Sequence, residues 1–199
     1  MNYPRTILNL IECFKKFPGI GEKTAERMAL SILEMDEDVI NLFVKSLNDT
    51  KTKIKKCSKC GSLTEQETCE ICNNKNRDHS ILCVVEECKN VILFEKIGSF
   101  KGVYHVLGGL ISPLEGINPE DINISKLLKR IKEEKIKEVI LAIKPSVEGE
   151  TTALYIQKML EKENIIVSKI AHGIPLGADI DYMDPLTLEM AIEDRRQVS

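Results

Sequence analysis

Four of the seven cysteines fall in one short stretch, CSKCGSLTEQETCEIC, at Cys57, Cys60, Cys69 and Cys72. Each Cys-x2-Cys pair can hold two thiolates on one tight knuckle, and two knuckles supply the four sulfurs of a tetrahedral zinc ion. Gly61 follows the first pair, where the chain must turn for the ligands to converge. His79 lies too far beyond the cluster to be needed. Four thiolates close the shell and leave no position for water or substrate. The expected role of Zn2+ is therefore structural, a staple for a segment too small to bury its own core. Redox pairs, a disulfide and an iron–sulfur cluster are the alternatives, and two symmetric knuckles favour zinc. Cys13, Cys83 and Cys88 are scattered and read as small apolar residues.

A second stretch, FPGIGEKTA at 17–25, has the form of an anion cradle. Pro18 stops one helix, because it lacks an N–H and clashes with the preceding turn. Gly19 and Gly21 supply backbone freedom and allow another backbone to come close, while Ile20 anchors the turn. The N–H groups that open the next helix have no partner within that helix and suit an anion. Lys23 lies in its first turn and Arg27 one turn further along the same face. Gly19, Gly21, Lys23 and Arg27 are the candidate DNA-binding residues, gripping phosphates without reading sequence. GIGEKT is not a P-loop, since Glu22 interrupts the Gly-Lys-Thr order and no strand precedes it. The competing readings are a plain helix–helix turn with solvated charges and a hairpin used only as a dimer contact.

Two acidic stretches complete the set. VVEE puts Glu86 at the carboxyl end of a strand, where open α/β sheets place ligands, and KPSVEGE spans 144–150. Both resemble a Toprim domain, the module shared by topoisomerases and primases. In catalytic Toprim proteins the second stretch resembles Asp-Pro-Asp-Arg-Glu-Gly-Glu, whose aspartates hold magnesium for phosphoryl transfer. Here those positions are Lys144 and Ser146. Magnesium wants hard oxygen ligands, and a lysine brings the wrong sign of charge and no lone pair. Glu86, Glu148 and Glu150 remain as degenerate acids that could still gather a weak metal site. Alternatively, Glu148 and Glu150 simply favour a helix N-terminus. The expectation is a retained fold with lost catalysis: no enzyme, and no Mg2+.

These groups must be positioned by the elements around them. Ile7, Leu8, Ile11, Phe14 and Phe17 recur at helical spacing and predict a helix over 5–16. Ala25, Met28, Ala29, Ile32 and Leu33 mark a second from about Glu22. Asp36 looks like the N-cap of a third, with Val39, Ile40, Phe43, Val44, Leu47 and Ile54 along one face, leading into the basic KTKIKK at 51–56. A polar linker covers 73–80. Strands are predicted at 81–86, 103–107, 138–143 and 165–170. Helices are predicted over KNVILFEKI, from a Ser125 cap through about Glu134, over 150–162, and over about 185–195. Alternating strands and helices imply a mainly parallel sheet. The fold class is α/β in several parts: a helix–hairpin–helix region (1–56), the four-cysteine zinc finger and linker (57–80), a Toprim-like α/β domain (81–172), and a C-terminal Walker-B-like segment and helical tail (173–199).

Composition sets outer bounds. At 43% hydrophobic residues the 199-residue chain can build a core. No apolar run approaches the ~20 residues of a membrane-spanning helix, and the first residues are not followed by an apolar signal core. The expected setting is cytoplasmic, with no membrane partner, and seven cysteines there argue against a disulfide framework. Net charge is −3, with 13 basic against 12 acidic residues in 1–80, so any nucleic-acid contact must come from local patches.

The order of parts resembles the bacterial RecR family of recombination mediators over nearly the whole chain. The carrying stretches are FPGIGEKTAERMA, CSKCGSLTEQETCEIC, ILCVVEE, YHVLGGLISPLEGI, SVEGETTALYI and HGIPLGADIDYMD. Lys144 is a departure, since the family resembles Asn at that position. The resemblance implies a non-enzymatic DNA-binding protein of recombinational DNA repair. It further implies a homodimer or ring-forming homotetramer that clamps single- and double-stranded DNA and acts with RecO and RecF to load RecA. HGIPLGADIDYMD resembles the family's Walker-B-like segment, expected here to serve structure or assembly and not ATP hydrolysis. The alternative is a Toprim-type, magnesium-dependent nuclease or nucleotidyl transferase.

Overall fold

The computed structural model describes residues 3–171, 173–175 and 177–195. They form two units, residues 1–54 and 55–199.

In the first unit, helices α1 (Arg5–Phe14) and α2 (Glu22–Ser31) pack through Ile11, Phe14, Ala25 and Ala29, all buried. Ala25 and Ala29 are one turn apart, and their small side chains let α2 approach closely, with Met28 packed beside them. Ile20, between the two hairpin glycines, packs on this cluster as expected. Leu33 was expected on the same face but is 69% exposed. It lies in a 3-10 turn, Ile32–Glu34, whose tighter winding breaks the α-helical register. Helix α3 (Glu37–Lys53) follows Asp36, whose backbone takes the cap conformation without a side-chain cap bond. The predicted apolar face is present, yet no residue of α3 is buried: Val39, Phe43, Val44 and Leu47 are all exposed.

The second unit begins with a short antiparallel pair, β1 (Lys55–Lys56) and β2 (Leu63–Thr64), then the short helix α4 (Glu70–Asn73). A four-stranded parallel sheet follows. Its strands are β3 (Asp78–Val85), β4 (Gly102–Val106), β5 (Glu138–Ala142) and β6 (Ile166–Lys169), in the order β4-β3-β5-β6. Helices α5 (Cys88–Ile97), α6 (Ile124–Glu133) and α7 (Val147–Leu160) connect them. Leu82 and Val84 face one cluster with Leu127, Ile131 and Ile156, while Cys83 and Val85 face another with Val91 and Tyr104. This alternation is the period of two that a strand buried on both faces requires. The chain leaves β3 for β4 and returns to β5 on the other side, so a topological switch lies between β3 and β5.

Some boundaries differ from expectation. Strand β3 starts at Asp78, inside the predicted linker, and its pairing with β4 is irregular between Asp78 and Leu82. Asn123, not Ser125, precedes α6. Helix α7 starts at Val147, where Ser146 accepts a hydrogen bond from the Gly149 N–H at 3.2 Å. A last helix, α8 (Pro185–Glu193), carries no buried residue. Among the described residues no helix is long and apolar enough to cross a membrane.

Candidate metal centre and nucleic-acid interface

The sulfurs of Cys57, Cys60, Cys69 and Cys72 lie within 4.8 Å of one another, and all four residues are buried. The first knuckle is closed by backbone bonds: Gly61 N–H to Cys57 O at 2.9 Å and Cys57 N–H to Ser62 O at 2.7 Å. The Cys69 N–H donates to the Cys57 sulfur at 3.3 Å and the Ser62 N–H to the Cys60 sulfur at 3.4 Å. Cys60 and Cys69 sulfurs are 3.6 Å apart. Hydrogen bonds from the Cys60 and Cys72 thiols pull Cys69 down, while sharing its proton with Cys69 pushes Cys60 up. A divalent cation lets all four ionise, and the all-sulfur donor set fits structural Zn2+.

This zinc segment is fastened to the sheet. The Val106 N–H of edge strand β4 donates to Cys60 O at 2.8 Å, and the Cys88 thiol donates to Gly61 O at 3.4 Å. Gly61 has φ +77°, and a Cβ there would lie 3.2 Å from Val106 O. The glycine therefore serves both the turn and the close approach to β4.

At the hairpin, Gly19 has φ +80°, whereas Gly21 is extended and occupies the N-cap of α2. A Cβ added at either would meet nothing within 4 Å, so the surface is open. No side chain caps α2. Lys23 and Arg27 are exposed, and neither is held in an ion pair among the described residues. Lys15 contrasts with them: it bonds Glu12 at 2.7 Å and Glu22 at 2.6 Å, and these acids raise its pKa.

The degenerate acids are each engaged locally. Lys144 Nζ lies 3.4 Å from Glu86 Oε1. The Ser146 hydroxyl donates to Glu148 at 2.8 Å, and Lys169 Nζ donates to Glu150 at 2.5 Å. Glu148's own backbone N–H, then Ser146, hold its carboxyl below the usual range. Among the described residues the four cysteines form the group of metal-type side chains that converge, and Glu86, Glu148 and Glu150 are not brought together in this way. Beside Glu86 and Lys144 opens a mainly apolar cavity of about 290 Å³, lined by Leu93, Phe94, Ile97 and Ile170.

Of the Walker-B-like segment, His172 and Leu176 fall outside the described residues. Its acids cap turns: Asp179 accepts from the Asp181 N–H at 3.3 Å, and Asp184 from the Thr187 N–H at 3.0 Å. The Thr187 bonds lower the Asp184 pKa.

Two buried polar residues escaped the sequence reading. His105, on β4, bonds Asn123 O through Nε2 at 3.0 Å, and its Nδ1 has no partner among the described residues. Burial pushes its pKa down to about 4. Arg130, on α6, donates to Tyr104 O at 2.6 Å and Glu134 at 2.7 Å. A signal for Arg130 existed: it lies three residues beyond Leu127, on the buried stripe.

Family models match most of the chain, in order. The RecR helix-hairpin-helix model matches residues 7–51, the RecR four-cysteine zinc finger domain 54–74, the Toprim domain 80–171, and the RecR C-terminal model 173–196.

Proposed function

The chain belongs to the RecR family, and from that premise we propose that it is a non-enzymatic recombination mediator acting in the cytoplasm. In this reading it is a homodimer or homotetramer that clamps single- and double-stranded DNA without reading sequence. It acts with RecO and RecF to promote RecA loading.

The observation that carries this reading is the open hairpin of Gly19, Ile20 and Gly21 beside two cations, Lys23 and Arg27, that no acid among the described residues neutralises. One such cradle is weak. Several copies held in one assembly multiply it by avidity, which lets a chain of net charge −3 hold a polyanion. The exposed α3 face supports assembly: Val39, Leu42, Phe43, Val44 and Leu47 form an apolar stripe of the kind that marks an interface. The Toprim-like part contributes scaffold and not chemistry, because a lysine ammonium faces Glu86 and the other acids have their own partners.

The test is the mass of the purified protein by light scattering, with and without DNA, combined with affinity measured across a salt series. An oligomer whose DNA affinity falls steeply with salt is expected. A strict monomer would contradict the clamp.

A further inference from the structure

We infer that the four-cysteine segment is a metal-operated latch on the Glu86 rim of the sheet. With zinc bound it orders the end of β4 and the start of α5, and with zinc lost it releases both. The latch depends on the zinc reading of the cluster and not on the DNA clamp.

The segment has no core apart from its ligands. Between residues 55 and 74 the buried residues are the four cysteines and Ser62. Its regular structure is a pair of two-residue strands and one four-residue helix. A unit of this size holds its shape through the metal, so metal loss frees it to unfold. Three contacts tie it to the sheet. The Val106 N–H, on edge strand β4, donates to Cys60 O at 2.8 Å. The thiol of Cys88, the first residue of α5, donates to Gly61 O at 3.4 Å. Ile71, between the second pair of cysteines, packs on both the cysteine cluster and the sheet cluster of Val85, Val91 and Tyr104.

The two hydrogen bonds converge on Glu86. Cys88 follows it by two residues. Val106 precedes Gly108 by two, and the Gly108 N–H donates to Glu86 O at 2.8 Å. Asn123 joins the same end of β4: its Nδ2 donates to Val106 O at 3.1 Å and its N–H to Leu107 O at 2.9 Å. A Cβ at Gly61 would lie 3.7 Å from that Nδ2, so the first knuckle also backs the Asn123 side chain. Without the Cys60 carbonyl, the Val106 N–H becomes an unpaired group on a sheet edge. The rim at the sheet's switch point therefore answers to the metal content of a site outside it. Such coupling is reciprocal, so loosening the latch must weaken metal retention.

The experiment compares full-length protein zinc-loaded and chelator-stripped. Metal content is measured first, so a failure of the zinc reading shows itself separately: protein that takes up no zinc removes the latch with its premise. Hydrogen exchange is then followed by mass spectrometry, peptide by peptide. Stripping should speed exchange about 10-fold at 103–108 and at 86–92, the scale of one hydrogen bond, and leave 138–142 of β5 unchanged. Unchanged exchange at 103–108 would overturn the latch. So would an equal rise in β5, which signals general unfolding. A second arm keeps the protein zinc-loaded. Cys88→Ala changes no zinc ligand and should hand zinc to a colorimetric chelator about 3-fold faster, while Cys88→Ser keeps a donor and should match wild type. Wild-type transfer from Cys88→Ala would overturn the coupling, and so would equal acceleration in both variants, which signals lost packing.

Discussion

The Lys144 ammonium lies 3.4 Å from the Glu86 carboxylate, just beyond the carboxyl ends of adjacent strands β5 and β3. This is the switch point of the sheet, where an α/β fold would otherwise receive a ligand. A tethered cation stands there against the acid. Lys144→Asp should therefore create magnesium uptake measurable by calorimetry, while the wild type takes up none at millimolar concentration. The substitution should shift stability by no more than about 1 kcal/mol, because the lysine side chain is 54% exposed. Equal magnesium binding by both proteins would refute the idea.

His105 should make the second unit sensitive to mild acid. Its folded pKa is depressed to about 4 from the ordinary value of 6.5, chiefly by burial. The unfolded chain therefore takes up a proton before the folded one does. Stability from this residue is complete above pH 6.5 and is lost progressively as pH falls toward 4, by up to about 3 kcal/mol. Urea unfolding at about pH 7.5 and about pH 5, on either side of the ordinary histidine pKa, should show the loss. His105→Gln should flatten it, and an unchanged pH slope in that variant would assign the sensitivity elsewhere.

The glycines should separate folding from binding. A Cβ at Gly149 would lie 1.9 Å from Lys144 O, a backbone atom, so Gly149→Ala should cost about 1–3 kcal/mol or more. Gly19→Ala should cost about 1 kcal/mol, since φ is +80° there. Gly21→Ala has ordinary backbone angles and open space but puts a poorer residue at the N-cap of α2, so it should cost at most about 1 kcal/mol while its DNA affinity falls. A stable Gly149→Ala or an unstable Gly21→Ala, read by thermal melts, would contradict this ordering.

The stripe on α3 should hold copies together. Phe43 and Leu47 are one turn apart and exposed, and with Ile54 they line a groove of about 410 Å³. Phe43→Asp or Leu47→Asp should lower the assembly mass in light scattering yet leave helical content intact, because neither residue is buried in the chain. An unchanged mass would place the interface elsewhere.

Much of this was legible in the residues. The cysteine spacing and the Pro-Gly-x-Gly hairpin are local codes, in which adjacent residues do the work, and the folded chain keeps their geometry. The alternating helices and strands were legible because apolar periodicity is local too. What was hidden is relational. The start of β3 at Asp78 depends on pairing with β4 and not on its own polar sequence. Leu33 leaves the α2 stripe through a change of helix type that periodicity does not announce. The α3 stripe was visible, but a single chain does not state what covers it. Glu86, Glu148 and Glu150 looked like remnants of one site, and only folding shows that each has a separate partner.

The most direct test of the clamp is DNA affinity at low salt for Lys23→Ala combined with Arg27→Ala, by fluorescence anisotropy with single- and double-stranded oligonucleotides. Affinity should drop for both substrates, with assembly mass and thermal stability unchanged, since neither side chain is buried, or paired among the described residues. Wild-type affinity in the double variant would contradict the cradle as the grip on DNA.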